Sequence, residues 1–434
     1  MGLLQDKLAR QVPGLRDAVK KLTKECGAVK ISDVTLEQAY GGMRGVKSLV
    51  CDTSEVPPDK GLIIRGIPVA KLTGQLPEET LWLLLTGENP SAAELADLQA
   101  DLRARARVPA YVWAVLAAMP GDSHPMVMLN TAVLVMEKES VFRQHYDTGM
   151  KKDEYWKATL EDALNIIAVM PEIAAGVYRI RFNKGSRIPT NPKLVWGADY
   201  AAMLGLPDPK GEFAKLMRLY LVLHSDHESG NVSAMTTATV NSALSDLYYS
   251  LSAGLNGLAG PLHGLANQEC LAWVLETNKK FGGRPTKAQI QTYAQETLSA
   301  GRVIPGYGHA VLRITDPRFD AFLAFGKQHC ADDPVFQTVA NVFETVPDIL
   351  KTVQKIKDPW PNVDAGSGAL LYHYGLTEFP YYTVLFSVSR ALGVCAQAVM
   401  ARAMGLPITR PKSVTTKWLQ SEAEKAMAVG TAKS

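Results

Sequence analysis

Helical periodicity is the feature that most constrains this chain. Apolar residues recur at three- and four-residue intervals through most of it, and helix start and stop signals stand where the periodicity begins and ends. Pro77 opens a run through Trp82 and Leu85 that stops at Gly87. Ser91 and Glu94 form a capping box ahead of Leu95, Leu98 and Leu102. Glu161 to Tyr178 and Glu212 to His224 read as further apolar-faced helices. The strand signal is thin. Ser48 to Thr53 and Gly61 to Val69 are expected to form a small hairpin around Pro57-Pro58-Asp59-Lys60. There is no internal repeat, low-complexity tract or obvious linker, so the expected fold class is all-α. A chain of 434 residues is long for one core, and two domains are expected, although composition does not place their boundary.

The charge balance narrows the partners. A net charge of +3 is too small to argue for nucleic acid, so any attraction for anions must be local. Cys26, Cys51, Cys270, Cys330 and Cys395 are dispersed, with no CxxC pair, which suggests reduced thiols and an intracellular compartment. Leu3, Leu4, Leu8 and Val12 alternate with charges at helical spacing, unlike a signal peptide. No segment is expected to cross a membrane. The nearest candidate, Tyr381 to Met404, carries Arg390 and Arg402 and reads better as a helix buried in a large domain.

Four stretches carry the chemistry. In Asn256 to Cys270, Gly257, Gly260 and Gly264 bracket His263, and a helix is expected from Leu265. An imidazole near a helix start is held neutral by the dipole and can donate a hydrogen bond at pH 7; a buried histidine in a tight helix corner is the alternative. His224-Ser-Asp-His227-Glu228 puts two histidines three apart at a helix end, on roughly one face. Zinc can use such spacing, but no third ligand lies at a telling distance, and an anion-binding pair is preferred. Gly301 to His309 is a loop with three glycines, able to wrap a flat ligand, yet neither GxGxxG nor a Walker loop. Asp316-Pro317-Arg318 follows it. In Pro359 to Gly368, Asp364 stands between structure breakers and by frequency would cap the next helix. Arg390 lies mid-helix among apolar residues and needs an acid of the fold or a ligand carboxylate.

In this order, His224-Ser-Asp-His-Glu-Ser-Gly-Asn-Val-Ser, Gly-Leu-Ala-Gly-Pro-Leu-His-Gly-Leu-Ala-Asn-Gln-Glu, Pro-Gly-Tyr-Gly-His-Ala-Val-Leu-Arg and Pro-Asn-Val-Asp-Ala resemble citrate synthase, most closely its eukaryotic mitochondrial form. The resemblance runs from about Tyr40-Gly-Gly-Met-Arg44 to Arg410-Pro-Lys-Ser413. It implies an all-α homodimer with a large and a small domain, here 1–264 with 376–434 and 265–375. It implies an acyl-CoA:oxaloacetate C-acyltransferase of the citric acid cycle, located in the mitochondrial matrix. Such an enzyme condenses acetyl-CoA with oxaloacetate, hydrolyses citryl-CoA, and needs no metal or other cofactor, nucleic acid or membrane.

Carried over by position, the resemblance makes His263, His309 and Asp364 the catalytic triad. It gives oxaloacetate to His227, Arg318, Arg390 and Arg410, the last from the other subunit. Asn231 and Ser233 support the catalytic histidine. Val303, Pro305, Gly306, Tyr307 and Gly308 wrap the CoA adenine, while Arg44, Arg313, Lys355 and, more loosely, Lys152 lie near CoA phosphates. The chain departs from the family's usual residues at Met235, Ile314, Gly366 and Lys152, and its connection from Lys71 to Pro77 is shorter than in animal enzymes. None of these is a triad or oxaloacetate position.

The residue types fit that chemistry. A carboxylate enolises a thioester methyl only when the developing enol oxygen is stabilised, which a neutral His263 does while Asp364 takes the proton. Planar guanidinium forks suit the two carboxylates of oxaloacetate. Three other readings stand beside it: a 2-methylcitrate synthase using propionyl-CoA, a metal-dependent hydrolase built on His224 and His227, and a non-catalytic CoA- or carboxylate-binding protein.

Overall fold

The computed structural model describes residues 2–264, 266–309, 311–354, 356 and 358–431. Helices dominate it, as the periodicity predicts. The expected run from Pro77 is the helix Pro77–Thr86, ended by Gly87 at φ 78°, and the Ser91–Glu94 capping box starts Ala92–Arg105.

The longest apolar stretches form the centre. Tyr382–Met404 packs along Tyr155–Arg181 and against Val232–Ser242, Leu247–Leu258, Pro77–Thr86 and Glu212–Leu223. Each Leu, Val or Phe buried there adds roughly 1.5–3 kcal/mol. Against the expectation that no segment qualifies, the spans Lys152–Arg181 and Phe379–Met404 are long and apolar enough to cross a membrane. They are core helices here, with 78% and 94% of their apolar windows buried inside the fold. A second group, Ala266–Lys280, Lys287–Ser299, Pro317–His329, Pro334–Lys351 and Asp364–His373, packs mainly on itself. It meets the first group where Pro317–His329 touches Glu212–Leu223.

The β-structure differs from the expected hairpin. Ser54–Glu55 pairs antiparallel with Ile63–Ile64 around the Pro57–Lys60 turn, but Ile63–Ile64 also pairs back onto Ile67–Pro68. Ser48 to Val50 is exposed and forms no strand, because nothing apolar lies against it. The Gly61–Val69 stretch is bent by Arg65 and Gly66, both at positive φ, and so makes two short strands rather than one.

Candidate active site

The helix Glu212–Leu223 stops just before the histidine pair. His224 is its C-cap, and the chain then runs irregularly through Glu228 at φ 44° to the cap Asn231. The two histidines therefore do not share a helix face, and they part in role. His224 is wholly enclosed, its Nδ1 3.1 Å from the Tyr220 carbonyl oxygen. His227 turns to the loop side, its ring centroid 5.7 Å from that of His309. Among the described residues no group of three or more His, Cys, Asp or Glu is arranged to hold a metal, so the zinc reading of this pair lacks its further ligands.

Between the two sits Asp226, which the sequence reading did not single out. It is buried and accepts from Thr53 Oγ1 at 2.6 Å, Ser54 Oγ at 2.8 Å and Gln397 Nε2 at 2.6 Å, tying the small sheet to the central helix. Close approach of that helix requires Gly393, whose N–H donates to the Ser225 carbonyl at 3.0 Å and where a Cβ would collide with that carbonyl.

Arg390 is buried on the central helix without an ion-pair partner among the described residues. Its Nε donates to the His224 carbonyl at 3.2 Å and its Nη1 to Asn231 Oδ1 at 3.2 Å, and it lies 4.9 Å from the Phe386 ring centroid. Burial lowers its pKa to about 10, with Asp226 opposing that shift, so it stays charged. A buried cation served only by neutral acceptors retains the capacity to receive an anion.

Asn231 then reaches His263. Its side-chain nitrogen donates to the His227 and Glu228 carbonyls, which fixes Oδ1 toward Ser233. Ser233 Oγ is 2.9 Å from His263 Nε2, and the Ser233 backbone N–H points at the same nitrogen across 3.4 Å. A backbone N–H can only donate, so with the Ser233 hydroxyl proton turned to this nitrogen rather than to Asn231 Oδ1, Nε2 accepts and the ring proton resides on Nδ1. Burial and then Arg390 hold the His263 pKa down at about 4. The imidazole precedes the helix Ala266–Lys280; Leu265, where that helix was expected to begin, lies outside the described residues.

His309 is fixed the opposite way round. Its Nδ1 accepts the backbone N–H groups of Val311 at 3.0 Å and Leu312 at 2.9 Å, so Nε2 carries the proton. Burial, then Arg318, lower its pKa to about 4. Arg318 is buried rather than solvated, with Nε 3.0 Å from Asp316 Oδ1 and Nη2 2.6 Å from Asp316 Oδ2. Two neutral imidazoles thus present one N–H each, from opposite ring nitrogens.

Asp364 does not cap its helix. It is the first residue of Asp364–His373; Asn362 Oδ1 accepts its backbone N–H at 3.0 Å, and its carboxylate accepts no hydrogen bond among the described residues. Burial raises its pKa to about 6, against the pull of Arg318 and Arg390. Those two guanidiniums also act on His227, whose pKa burial drives well below its ordinary value. His227, His309, Asp364, Arg318 and Arg390 therefore share one electrostatic neighbourhood, and Arg390 joins His263 to it.

The glycine-rich loop is strapped to the Asp364 segment. Gly308 N–H donates to Trp360 O at 2.9 Å, Asn362 N–H to Gly306 O at 2.9 Å and Asn362 Nδ2 to Gly308 O at 3.0 Å, while Tyr307 bridges to Pro361. Gly306, at φ 81°, lies against Ala365 and Cys270, so no side chain fits there. Val303 at the loop's start is exposed, Pro305 half-buried. The remaining predicted CoA residues are less gathered. Arg313 folds its guanidinium onto the His309, Val311 and Leu312 carbonyls. Arg44 and Lys152 are exposed on segments that make no hydrogen bond to this loop among the described residues, and Lys355 lies outside the described residues. Arg410 is exposed, beyond the central helix, with no ion pair among the described residues. Phe386 and Asp316, missed in the sequence, contribute the arginine platform and the arginine anchor. Asp316 was legible only as the residue two before Arg318.

A helical protein that sets two histidines and a carboxyl among buried guanidiniums is the class this fold and this cluster define. A family model described as the citrate synthase C-terminal domain matches residues 42–412. A mitochondrial citrate synthase of Daucus carota is 47% identical over 98% of this chain and 91% of its own length. A mitochondrial 2-methylcitrate synthase of Yarrowia lipolytica is 49% identical over 95% of this chain and 91% of its own. Among solved structures, citrate synthase from Pyrobaculum aerophilum superposes with a TM-score of 0.78 at 27% identity, covering 90% of this chain and 96% of that one. The chain belongs to the citrate synthase family, and it is a transferase.

Proposed function

We propose that this enzyme condenses acetyl-CoA with oxaloacetate and hydrolyses the citryl-CoA formed, releasing citrate and CoA. One observation carries the reading: backbone N–H groups occupy Nε2 of His263 and Nδ1 of His309, leaving two neutral N–H donors in the neighbourhood of an unbonded, high-pKa carboxyl. Asp364 removes a proton from the thioester methyl. His263 Nδ1–H stabilises the enol oxygen that develops. The enol carbon attacks the ketone of oxaloacetate, whose oxygen takes its proton from His309 Nε2. Arg318, Arg390, His227 and Arg410 of a partner subunit hold the two carboxylates, and their positive charge favours attack on the adjacent carbonyl.

The packing supports two domains, 1–264 with 376–434 and 265–375. Arg318 and Asp364 lie on the smaller one, and His227 and Arg390 on the larger. Oxaloacetate bound between them closes the cleft and keeps water from the thioester until the partner substrate is in place. The loop 303–309, strapped to the Asp364 segment, holds the nucleotide end of CoA. The location is the mitochondrion, as for the carrot and yeast relatives. Release of free CoA thiol from acetyl-CoA, dependent on oxaloacetate and followed with DTNB, tests the reading; no release rejects it and revives a binding protein. A second reading, 2-methylcitrate synthesis from propionyl-CoA, is favoured by the Yarrowia relative. The ratio of kcat/KM for the two acyl-CoAs decides between them.

A further inference from the structure

One buried polar atom next to the candidate site stands without a partner among the described residues: Nε2 of His224. Nδ1 faces the Tyr220 carbonyl, which only accepts, so Nδ1 holds the ring proton and Nε2 is a bare lone pair. The ring is walled by Tyr220, stacked at 4.0 Å, by Phe386 at 5.1 Å and by Phe322 at 5.7 Å between centroids. Nε2 is buried and has no hydrogen-bond partner among the described residues. Leaving a buried acceptor alone costs about 1–3 kcal/mol. Packing does not require it. A phenylalanine ring suits the same aromatic cage, and the Tyr220 carbonyl would still accept the backbone N–H of residue 224.

A matching donor stands on the neighbouring helix. Phe322 belongs to Pro317–His329, and Arg318, four residues earlier, lies on the same face one turn back. Asp316 holds the Nε and Nη2 edge of Arg318, while Nη1 donates to nothing among the described residues. A guanidinium has three such directions. With one on Asp316, the Nη1/Nη2 edge remains for a carboxylate, and the outer N–H of Nη1 is left over. Arg318 also lowers the His224 pKa, second only to burial.

We propose that His224 is a positioning residue: in the oxaloacetate-bound state Nη1 of Arg318 donates to His224 Nε2, so that His224 and Asp316 grip the guanidinium from two sides. The proposal rests on Arg318 being a substrate-carboxylate receptor. The His224 carbonyl already accepts from Arg390 Nε at 3.2 Å. One residue thus sets the spacing of two receptors that stand on different helix groups.

The test compares His224→Phe and His224→Gln. In His224→Phe the melting temperature holds or rises, because the orphan acceptor is gone, while KM for oxaloacetate rises about tenfold. kcat at saturation and KM for the thioester change little. His224→Gln, which returns an acceptor oxygen near the Nε2 position, recovers most of the oxaloacetate affinity. In the unaltered enzyme the 15N resonance of His224 Nε2 moves in the hydrogen-bonded direction on adding oxaloacetate, a measurement independent of whether a variant folds. An unchanged oxaloacetate KM in His224→Phe, glutamine no better than phenylalanine, or a stationary resonance overturns the proposal. If Arg318→Ala also leaves the oxaloacetate dependence unchanged, the underlying assignment of Arg318 has failed instead.

Discussion

Asp364 and its two histidines have their protonation states set by burial acting on opposite kinds of group. Desolvation raises the carboxyl to about 6 and lowers His263 and His309 to about 4. The proposed reaction needs the carboxylate ionised and both rings neutral. As pH falls, the carboxylate is protonated first, near 6, while the rings remain neutral until about 4. A pH profile of kcat/KM for the thioester should therefore show an acid limb with a single ionisation near 6, and a two-proton limb there would reject the assignment. Asp364→Asn should cut turnover by about 10²–10⁴-fold. Oxaloacetate binding, read by calorimetry, should persist, since no carboxylate–carboxylate contact is removed. Near-normal turnover would make Asp364 a structural residue only. As candidates the residues were legible in the sequence: His263 and His309 each sit beside a glycine, and Asp364 lies between Pro361 and Gly366, though only the family resemblance turned Asp364 from a helix cap into a proposed base. Their tautomers were not. These depend on which backbone N–H groups reach each ring, and Ser233 lies thirty residues from His263 in the chain.

At the scale of elements, Gly393 decides how closely the central helix approaches the 224–228 turn. A Cβ there would lie 2.5 Å from Asp226 Oδ1, besides meeting the Ser225 carbonyl. Gly393→Ala should displace that turn and loosen Arg390 from the His224 carbonyl. The expected outcome is a loss of about 1–3 kcal/mol in stability by denaturant unfolding. A raised oxaloacetate KM should accompany it, and wild-type values for both would show that the turn yields without effect. Elements with period and caps, such as Pro77–Thr86 and Ala92–Arg105, were readable from local signals alone. Of the small sheet, the Pro57–Lys60 turn and the Gly61–Val69 arm were readable, but not the first strand's place at Ser54–Glu55 or the split of the second arm, because two-residue strands have no periodicity to read. The His224–His227 helix face failed for a related reason. The helix ends one residue earlier than its apolar pattern suggests, and spacing arguments stop with it.

At the scale of the whole molecule, Arg410 is the residue through which the expected dimer is tested. It is exposed and unpaired among the described residues, beyond the end of the central helix. If it serves a neighbouring subunit's site, Arg410→Ala and His263→Ala homodimers should each be nearly inactive, and hybrids should regain one good site. In a hybrid both lesions fall in one site, and the His263→Ala chain lends its intact Arg410 to the other. Random co-assembly makes about half the dimers hybrid, so recovery should approach roughly a quarter of normal activity. Tandem purification through two different tags isolates the hybrid. Its inactivity would place Arg410 in its own subunit's site, and a fully active Arg410→Ala homodimer would place it in none.

The strap between the 306–308 loop and the 360–362 segment has a further consequence. The proposed base and the loop proposed to grip the nucleotide form one hydrogen-bonded body, so under that reading tension at the far end of a long thioester is felt at the near end. Adenine and phosphates take no part in bond making. Gripping them should nonetheless steady Asp364, so that their binding energy reaches the transition state as alignment rather than as affinity. An acetyl thioester cut back to its pantetheine portion should accordingly lose kcat as well as raise KM in stopped-flow and steady-state assays. A change confined to KM would mean that the handle and the base move independently.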